Sequence, residues 1–171
     1  MRPRYETEAD RQKETKLGLI ITSILSGSNG LTSARPALKG ASLVKLSEGL
    51  ETAYKVDWCL VQKQHQIGYL NGPNIVGWAE LKCRDHRLDQ YETLILAAHK
   101  WSTARRMAFD TGVPFVLFVS FNDAIACHVE VGNSLCRYAV EWGGRNKNAR
   151  DAGDIEPVVH IPIKDFVVLV Q

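Results

Sequence analysis

The segment Val76-Gly77-Trp78-Ala79-Glu80-Leu81-Lys82-Cys83 places two charged residues inside an otherwise apolar run. Its composition predicts a strand, which we assign to residues 75–83. Because successive side chains of a strand point to opposite faces, Glu80 and Lys82 project from the same face. Charged residues where core residues are expected make this strand the first candidate for a functional site.

A second apolar segment lies upstream and is interrupted by one carboxylate. Residues 54–62 are rich in strand-forming residues, and Asp57 breaks their apolar run. The intervening residues 65–74 contain Asn71-Gly72-Pro73-Asn74 and predict a turn. We therefore predict that the two strands pair antiparallel, which can bring Asp57 beside Glu80.

Two carboxylates held side by side repel each other and tend to protonate. A divalent cation between them removes this penalty, and hard oxygen ligands favour Mg²⁺ or Mn²⁺. A lysine beside the metal, here Lys82, orients or activates water or stabilises charge on an attacked phosphate. The alternative is a structural cluster in which Asp57, Glu80 and Lys82 form buried salt bridges.

The other elements predict an α/β domain. A capping signal at Thr7-Glu8-Ala9-Asp10 begins a predicted helix that runs to about Leu25, with Leu17 and Ile21 on the same stripe as Leu25. The remaining predictions are a short edge strand at 42–46, a third strand or first helical turns at 91–96, a helix at 97–111, strands at 113–121, 124–131, 158–163 and 166–170, and a polar loop at 143–153. This order predicts a central mixed sheet with helices packed against it.

Asp57, followed after 22 residues by Glu80-Leu81-Lys82, resembles the PD-(D/E)XK nuclease superfamily. The element order over residues 7–121 is similar to the α-β-β-β-α-β, restriction-endonuclease-like core of that superfamily. Ala79-Glu80-Leu81-Lys82-Cys83-Arg84 is similar to the corresponding strand of Holliday-junction resolvases and of small phage-encoded nucleases. One departure is Val56, which stands where the motif has proline.

The resemblance implies metal-dependent hydrolysis of phosphodiester bonds in DNA, including branched or recombination intermediates. Asp57 and Glu80 would be the ligands of Mg²⁺ or Mn²⁺, and Lys82 would complete the catalytic set. The superfamily often adds a glutamate from the first helix. Glu14 is the candidate because it lies in the middle of the predicted apolar stripe, and Asp10 is the reserve.

Two basic residues are candidates for contacts with the nucleic acid. Arg84 follows Lys82 at the mouth of the predicted site, and Lys100 begins the helix at 97–111. The alternative for both is a solvated charge, which is the interpretation we favour for Arg105 and Arg106. A basic loop over residues 145–150 is a further candidate for ordering on DNA.

Length and composition limit the number of domains and the class of protein. The chain has 171 residues, 45% of them hydrophobic, which predicts one domain over residues 1–171. Its net charge of +2 says little about partners. No apolar run approaches the roughly 18 residues of a membrane span, and no signal core follows the N-terminus, so we expect a cytoplasmic protein, in the host cell if phage-encoded.

Other function classes lack their motifs. The five histidines form no zinc-hydrolase pattern, and no nucleophile elbow or phosphate-binding glycine loop occurs. Two alternatives to the nuclease stay open: a non-catalytic nucleic-acid-binding or assembly protein on the same fold, and a sequence-specific restriction-type endonuclease. A homodimer is a further expectation, because cutting two strands commonly uses two copies of such a site.

Overall fold

The computed structural model describes residues 7–27, 38–46, 56–62, 74–131, 138–144 and 155–171. Within them the chain forms two α-helices, α1 (Glu8–Ser26) and α2 (Ala98–Thr111). The strands of these residues are β1 (Ser42–Lys45), β2 (Trp58–Gln62), β3 (Asn74–Cys83), β4 (Thr93–Ala97), β5 (Phe115–Ser120), β6 (Ile125–Glu130), β7 (Val140–Gly144), β8 (Ile155–Pro162) and β9 (Val167–Val170).

A six-stranded sheet in the order β1-β2-β3-β5-β6-β9 forms the centre of the fold. β3 and β5 are parallel, and the other neighbours are antiparallel. Parallel neighbours need a crossover connection, and α2 lies in the segment that joins β3 to β5. The predicted α/β class, with a mixed central sheet flanked by helices, is confirmed.

The third predicted strand exists but does not join the central sheet. β4 pairs with β8, and β8 pairs with β7, in a separate three-stranded sheet. Leu94 and Leu96 of β4 are buried while Ile95 between them is exposed, so β4 has one packed face. The local pattern therefore indicated a strand correctly, but its partner comes from near the end of the chain.

β7 was not predicted as a strand, because Gly143 and Gly144 have the composition of a loop. The structure explains one of these glycines. A Cβ atom on Gly143 would lie 2.7 Å from the Cγ2 atom of Val158 on the neighbouring strand. Glycine is therefore favoured here by close packing within the sheet, not by a turn, because any side chain would force Val158 to shift.

The two helices cover opposite faces of the central sheet. The predicted stripe of α1, Leu17, Ile21 and Leu25, is buried and packs in one cluster with Ala79 and Leu81 of β3. On the other face, α2 and the small sheet enclose a second cluster, whose members include Cys59, Trp78, Leu94, Leu96, Trp101, Ala104, Ala108, Leu117, Val119, Val159 and Ile161. The alternation along β3 thus directs Glu80 and Lys82 toward α2 and away from α1.

The N-terminus of α1 confirms the predicted capping signal. Thr7 caps the helix through Asp10, whose backbone N–H donates to the Thr7 hydroxyl over 3.2 Å. The Asp10 carboxylate accepts in return from the backbone N–H and the hydroxyl of Thr7. Asp10 is thus used in the cap.

Neither helix is long and apolar enough to cross a membrane within the part of the chain described.

Candidate active site

The antiparallel pairing of β2 with β3 places Asp57 next to Glu80. The antiparallel register pairs Trp58 with Ala79, so the next position along each strand places Asp57 across from Glu80. Asp57 lies just before β2, and its backbone carbonyl accepts from the N–H of Leu46 over 3.0 Å. The predicted antiparallel hairpin is confirmed, whereas the predicted turn at 65–74 lies almost wholly outside the described residues.

Glu80 is the buried centre of the site. It is 2% exposed and lies in the middle of β3, between Ala79 and Leu81 on a strand with neighbours on both sides. The ammonium of Lys82 lies 2.6 Å from its Oε1 atom. The prediction that these two side chains share one face is confirmed, and the strand alone accounts for it.

Lys100 completes the cluster from the first turn of α2. Its Nζ atom lies 2.5 Å from Oε1 of Glu80 and 3.5 Å from Oδ2 of Asp57. Lys100 was predicted to contact nucleic acid, but its ammonium lies between the carboxylates of Asp57 and Glu80. A signal was present: Lys100, Ala104 and Ala108 follow helical spacing, and both alanines are buried against the sheet.

The charges of this cluster support one another. Burial alone would raise the pKa of Glu80, but the ammonium groups of Lys82 and Lys100 outweigh burial and lower it from 4.5 to about 2. Burial likewise opposes the charge of Lys100, and the carboxylates of Glu80 and Asp57 reverse that effect and raise the pKa of Lys100. Glu80 is therefore ionised at neutral pH although it is buried.

The donor set of this cluster fits a hard divalent cation. Asp57 and Glu80 offer carboxylate oxygens, the ligands that Mg²⁺ and Mn²⁺ prefer. Both already lie within ion-pair distance of one positive centre, the ammonium of Lys100. No group of three or more His, Cys, Asp or Glu side chains suited to a metal occurs among the described residues.

A comparison with known protein families decides the relationship. The family model described as "Phage putative PDDEXK endonuclease" matches residues 1–169. The chain belongs to this phage endonuclease family. The predicted membership of the PD-(D/E)XK superfamily, in a phage context, is confirmed, and the mixed sheet with its two described helices is compatible with a restriction-endonuclease-like fold. No curated protein and no solved structure matches the chain.

Glu14 lies on the other side of the central sheet from the candidate site formed by Asp57, Glu80 and Lys82. It is half-buried on α1, one turn before Leu17, and α1 packs on the face of Ala79 and Leu81. Its charge acts on the thiol of Cys83, whose pKa is raised first by burial and then by this carboxylate. The structure does not group Glu14 with Asp57 and Glu80. Its supporting role stays a prediction.

The basic candidates fall into different environments. The guanidinium of Arg84 donates to the backbone carbonyl of Ile95 over 3.2 Å, which orients it beside the end of β3. Arg106 is exposed as expected, but Arg105 is not. The Arg105 side chain is 25% exposed and lies 3.8 Å from buried Glu130, so its assignment to a solvated face was wrong. The basic loop at 145–150 lies outside the described residues.

Proposed function

We propose that this protein is a Mg²⁺-dependent nuclease that hydrolyses phosphodiester bonds in DNA. The observation that carries the proposal is the convergence of Asp57, Glu80 and Lys82 on the sheet face that α2 covers. Membership of the phage endonuclease family supports the reaction class. Nucleases of this superfamily generally depend on divalent metals, and the choice of Mg²⁺, with Mn²⁺ as a substitute, follows from the all-oxygen donor pair.

The exposure of the side chains suggests how DNA reaches the site. The Glu80 side chain is 3% exposed and forms the floor, whereas the Asp57 and Lys82 side chains are 20% and 23% exposed. Asp57 and Glu80 would hold the metal, and Lys82 would contact the scissile phosphate. When bound, the metal would polarise the phosphate and supply an activated water as nucleophile. Lys82 would orient that water or offset the negative charge that develops on the phosphate.

The substrate we propose is phage or host DNA in a branched, nicked or recombining form, encountered in the host cytoplasm. Its test is a panel of end-labelled duplex, nicked, flapped and four-way DNA, with single-stranded RNA included. We expect the wild-type protein to cleave at least one DNA substrate with Mg²⁺ or Mn²⁺, and not with EDTA. An Asp57→Asn variant purified in parallel excludes a contaminating nuclease, because it must lose the activity.

The same panel separates the alternatives. Cleavage at discrete sites in long duplex DNA would favour a restriction-type endonuclease. Binding without cleavage of any DNA, under either metal, would favour a non-catalytic nucleic-acid-binding protein, in which Asp57, Glu80, Lys82 and Lys100 form only a structural ion-pair cluster. Cleavage of RNA alone would contradict the proposed substrate. Sedimentation with and without DNA would test whether the protein acts as a homodimer.

Arg84 provides a prediction about DNA binding. If its guanidinium neutralises one phosphate, Arg84→Ala in the Asp57→Asn background should weaken binding and reduce the slope of log affinity against log salt by about 1. Fluorescence anisotropy over a salt series measures both quantities. Arg106→Ala is the matched control, because it removes the same charge from an exposed position on α2. An unchanged slope in Arg84→Ala would remove Arg84 from the DNA-binding surface.

A further inference from the structure

Lys100 contacts both carboxylates that the proposed function assigns to the metal. Its Nζ atom is 2.5 Å from Glu80 and 3.5 Å from Asp57, so one ammonium spans the pair. Lys82 forms an ion pair with Glu80 through the same Oε1 atom. In this structure the ammonium of Lys100 therefore supplies the positive charge that two neighbouring carboxylates require.

The position of Lys100 on its helix is unfavourable without those carboxylates. It lies in the first turn of α2, which contains no acidic residue. Positive charge near a helix N-terminus opposes the helix dipole, and partial burial of the side chain adds a desolvation cost. Asp57 and Glu80 offset both costs, which ties the role of Lys100 to this pair of side chains.

We propose that Lys100 is the counter-ion of the metal-free site and that its ammonium leaves Asp57 and Glu80 when these carboxylates bind a divalent cation. The inference rests on the proposed function, because it takes those two residues as the metal ligands. Lys100 acts through them and is a positioning residue. Its ammonium holds the two ligands close together before the metal arrives.

Charge balance favours the exchange, because the departure of Lys100 lowers the net charge of the metal-bound cluster. Two carboxylates and two ammonium groups cancel, so a divalent cation added to the intact cluster would leave a double positive charge in a poorly solvated site. Lys82 is held beside Glu80 by its place two residues further along the same strand. Lys100 is 29% exposed at the end of a helix and has the freer side chain. Its departure also places an ammonium at the mouth of the site, where a DNA phosphate would lie.

The inference is tested by metal binding without DNA. We expect Lys100→Met to bind Mn²⁺ about tenfold more tightly than wild type or better, because the competing charge is gone. Isothermal titration or the electron spin resonance signal of free Mn²⁺ measures the affinity. Lys100→Arg keeps the charge and should resemble wild type, and Arg106→Gln controls for net charge by removing a positive charge from the exposed side of the same helix. Equal or weaker binding by Lys100→Met would overturn the inference, as would no binding by either protein.

A second measurement uses the unaltered protein, so it stands even if Lys100→Met does not fold. Amine acetylation read by mass spectrometry should label Lys100 faster once Mn²⁺ is added, while exposed Lys164 should not change. Unchanged labelling of Lys100 at saturating Mn²⁺ would contradict displacement. The proposed function can fail independently of this inference. If the protein shows these metal effects but cleaves no DNA, the inference about Lys100 holds and the nuclease assignment is wrong.

Discussion

Replacing Lys82 by alanine is expected to slow DNA cleavage by on the order of 10²–10³-fold, the usual effect of removing one group that stabilises charge in a transition state. Lys82 has the required position. It is anchored 2.6 Å from Glu80 and still has 23% of its side chain exposed to an approaching phosphate. The measurement is single-turnover cleavage of the best substrate from the panel, at saturating Mg²⁺ and saturating protein.

The loss of cleavage in Lys82→Ala must be distinguished from a loss of metal binding or of folding. Mn²⁺ binding by Lys82→Ala should persist, because Asp57 and Glu80 remain. Lys164→Ala is the matched control, since it removes an exposed lysine from the short turn between β8 and β9. Cleavage by Lys82→Ala at the wild-type rate would show that Lys82 has only a structural role.

The second large effect concerns stability. Glu80→Gln is expected to lower the free energy of unfolding by roughly 3 kcal/mol in metal-free buffer at neutral pH, because it leaves two partly buried ammonium groups without their shared carboxylate. Urea unfolding in EDTA measures the change. Glu156→Gln makes the same chemical change where the carboxylate is 29% exposed beside His99, and should cost less than about 1 kcal/mol.

The destabilisation caused by Glu80→Gln is expected to decrease at acidic pH. The pKa of Glu80 falls from 4.5 to about 2 on folding, so its ionised form contributes stability above pH 4.5. That contribution, about 3 kcal/mol for such a shift, is lost as the pH falls from 4.5 toward 2. The stability difference between wild type and Glu80→Gln should therefore narrow across this range. A difference that stays constant from pH 7 to pH 2.5 would mean that Glu80 is not held ionised by Lys82 and Lys100.

A double variant tests whether Lys100 is the ion-pair partner through which Glu80 stabilises the fold. Glu80→Gln combined with Lys100→Met should be less destabilised than the sum of the two single changes, because the second removes a charge that the first left unpaired. Additive losses would show that the 2.5 Å contact between these side chains does not contribute to stability.

The parts of the fold predicted correctly are those that depend on short-range pattern. The alternation of β3 oriented Glu80 and Lys82, the apolar stripe of α1 identified its buried face, and the short link between two apolar runs indicated a hairpin. Each of these signals lies within one element or between two neighbours. The pairing of Asp57 with Glu80 followed from them as soon as the strands were known to be antiparallel.

The parts that were missed depend on contacts distant along the chain. Whether β4 joins the central sheet depends on β8, which supplies five paired residues to it from near the end of the chain. Arg105 was misplaced because Glu130, its buried partner, lies on β6. Lys100 was predicted to contact nucleic acid, and its ion pairs were missed because its carboxylate partners lie on β3 and just before β2. A local sequence pattern predicts the direction in which a side chain points, but it does not predict which group that side chain contacts.

β4 ends at Ala97 and α2 begins at Ala98, so no loop separates the strand from the helix that carries Lys100. The ladder between β4 and β8 consequently holds the first turn of α2 in place. A chain trimmed to residues 7–121, whose element order resembles the superfamily core, would retain Asp57, Glu80, Lys82 and Lys100. It would nevertheless lose β8, the strand that fixes the position of Lys100 through β4. Strand β8 thus supports the candidate active site from a distant part of the chain, and changes in β8 can alter the position of Lys100 without replacing Asp57, Glu80 or Lys82.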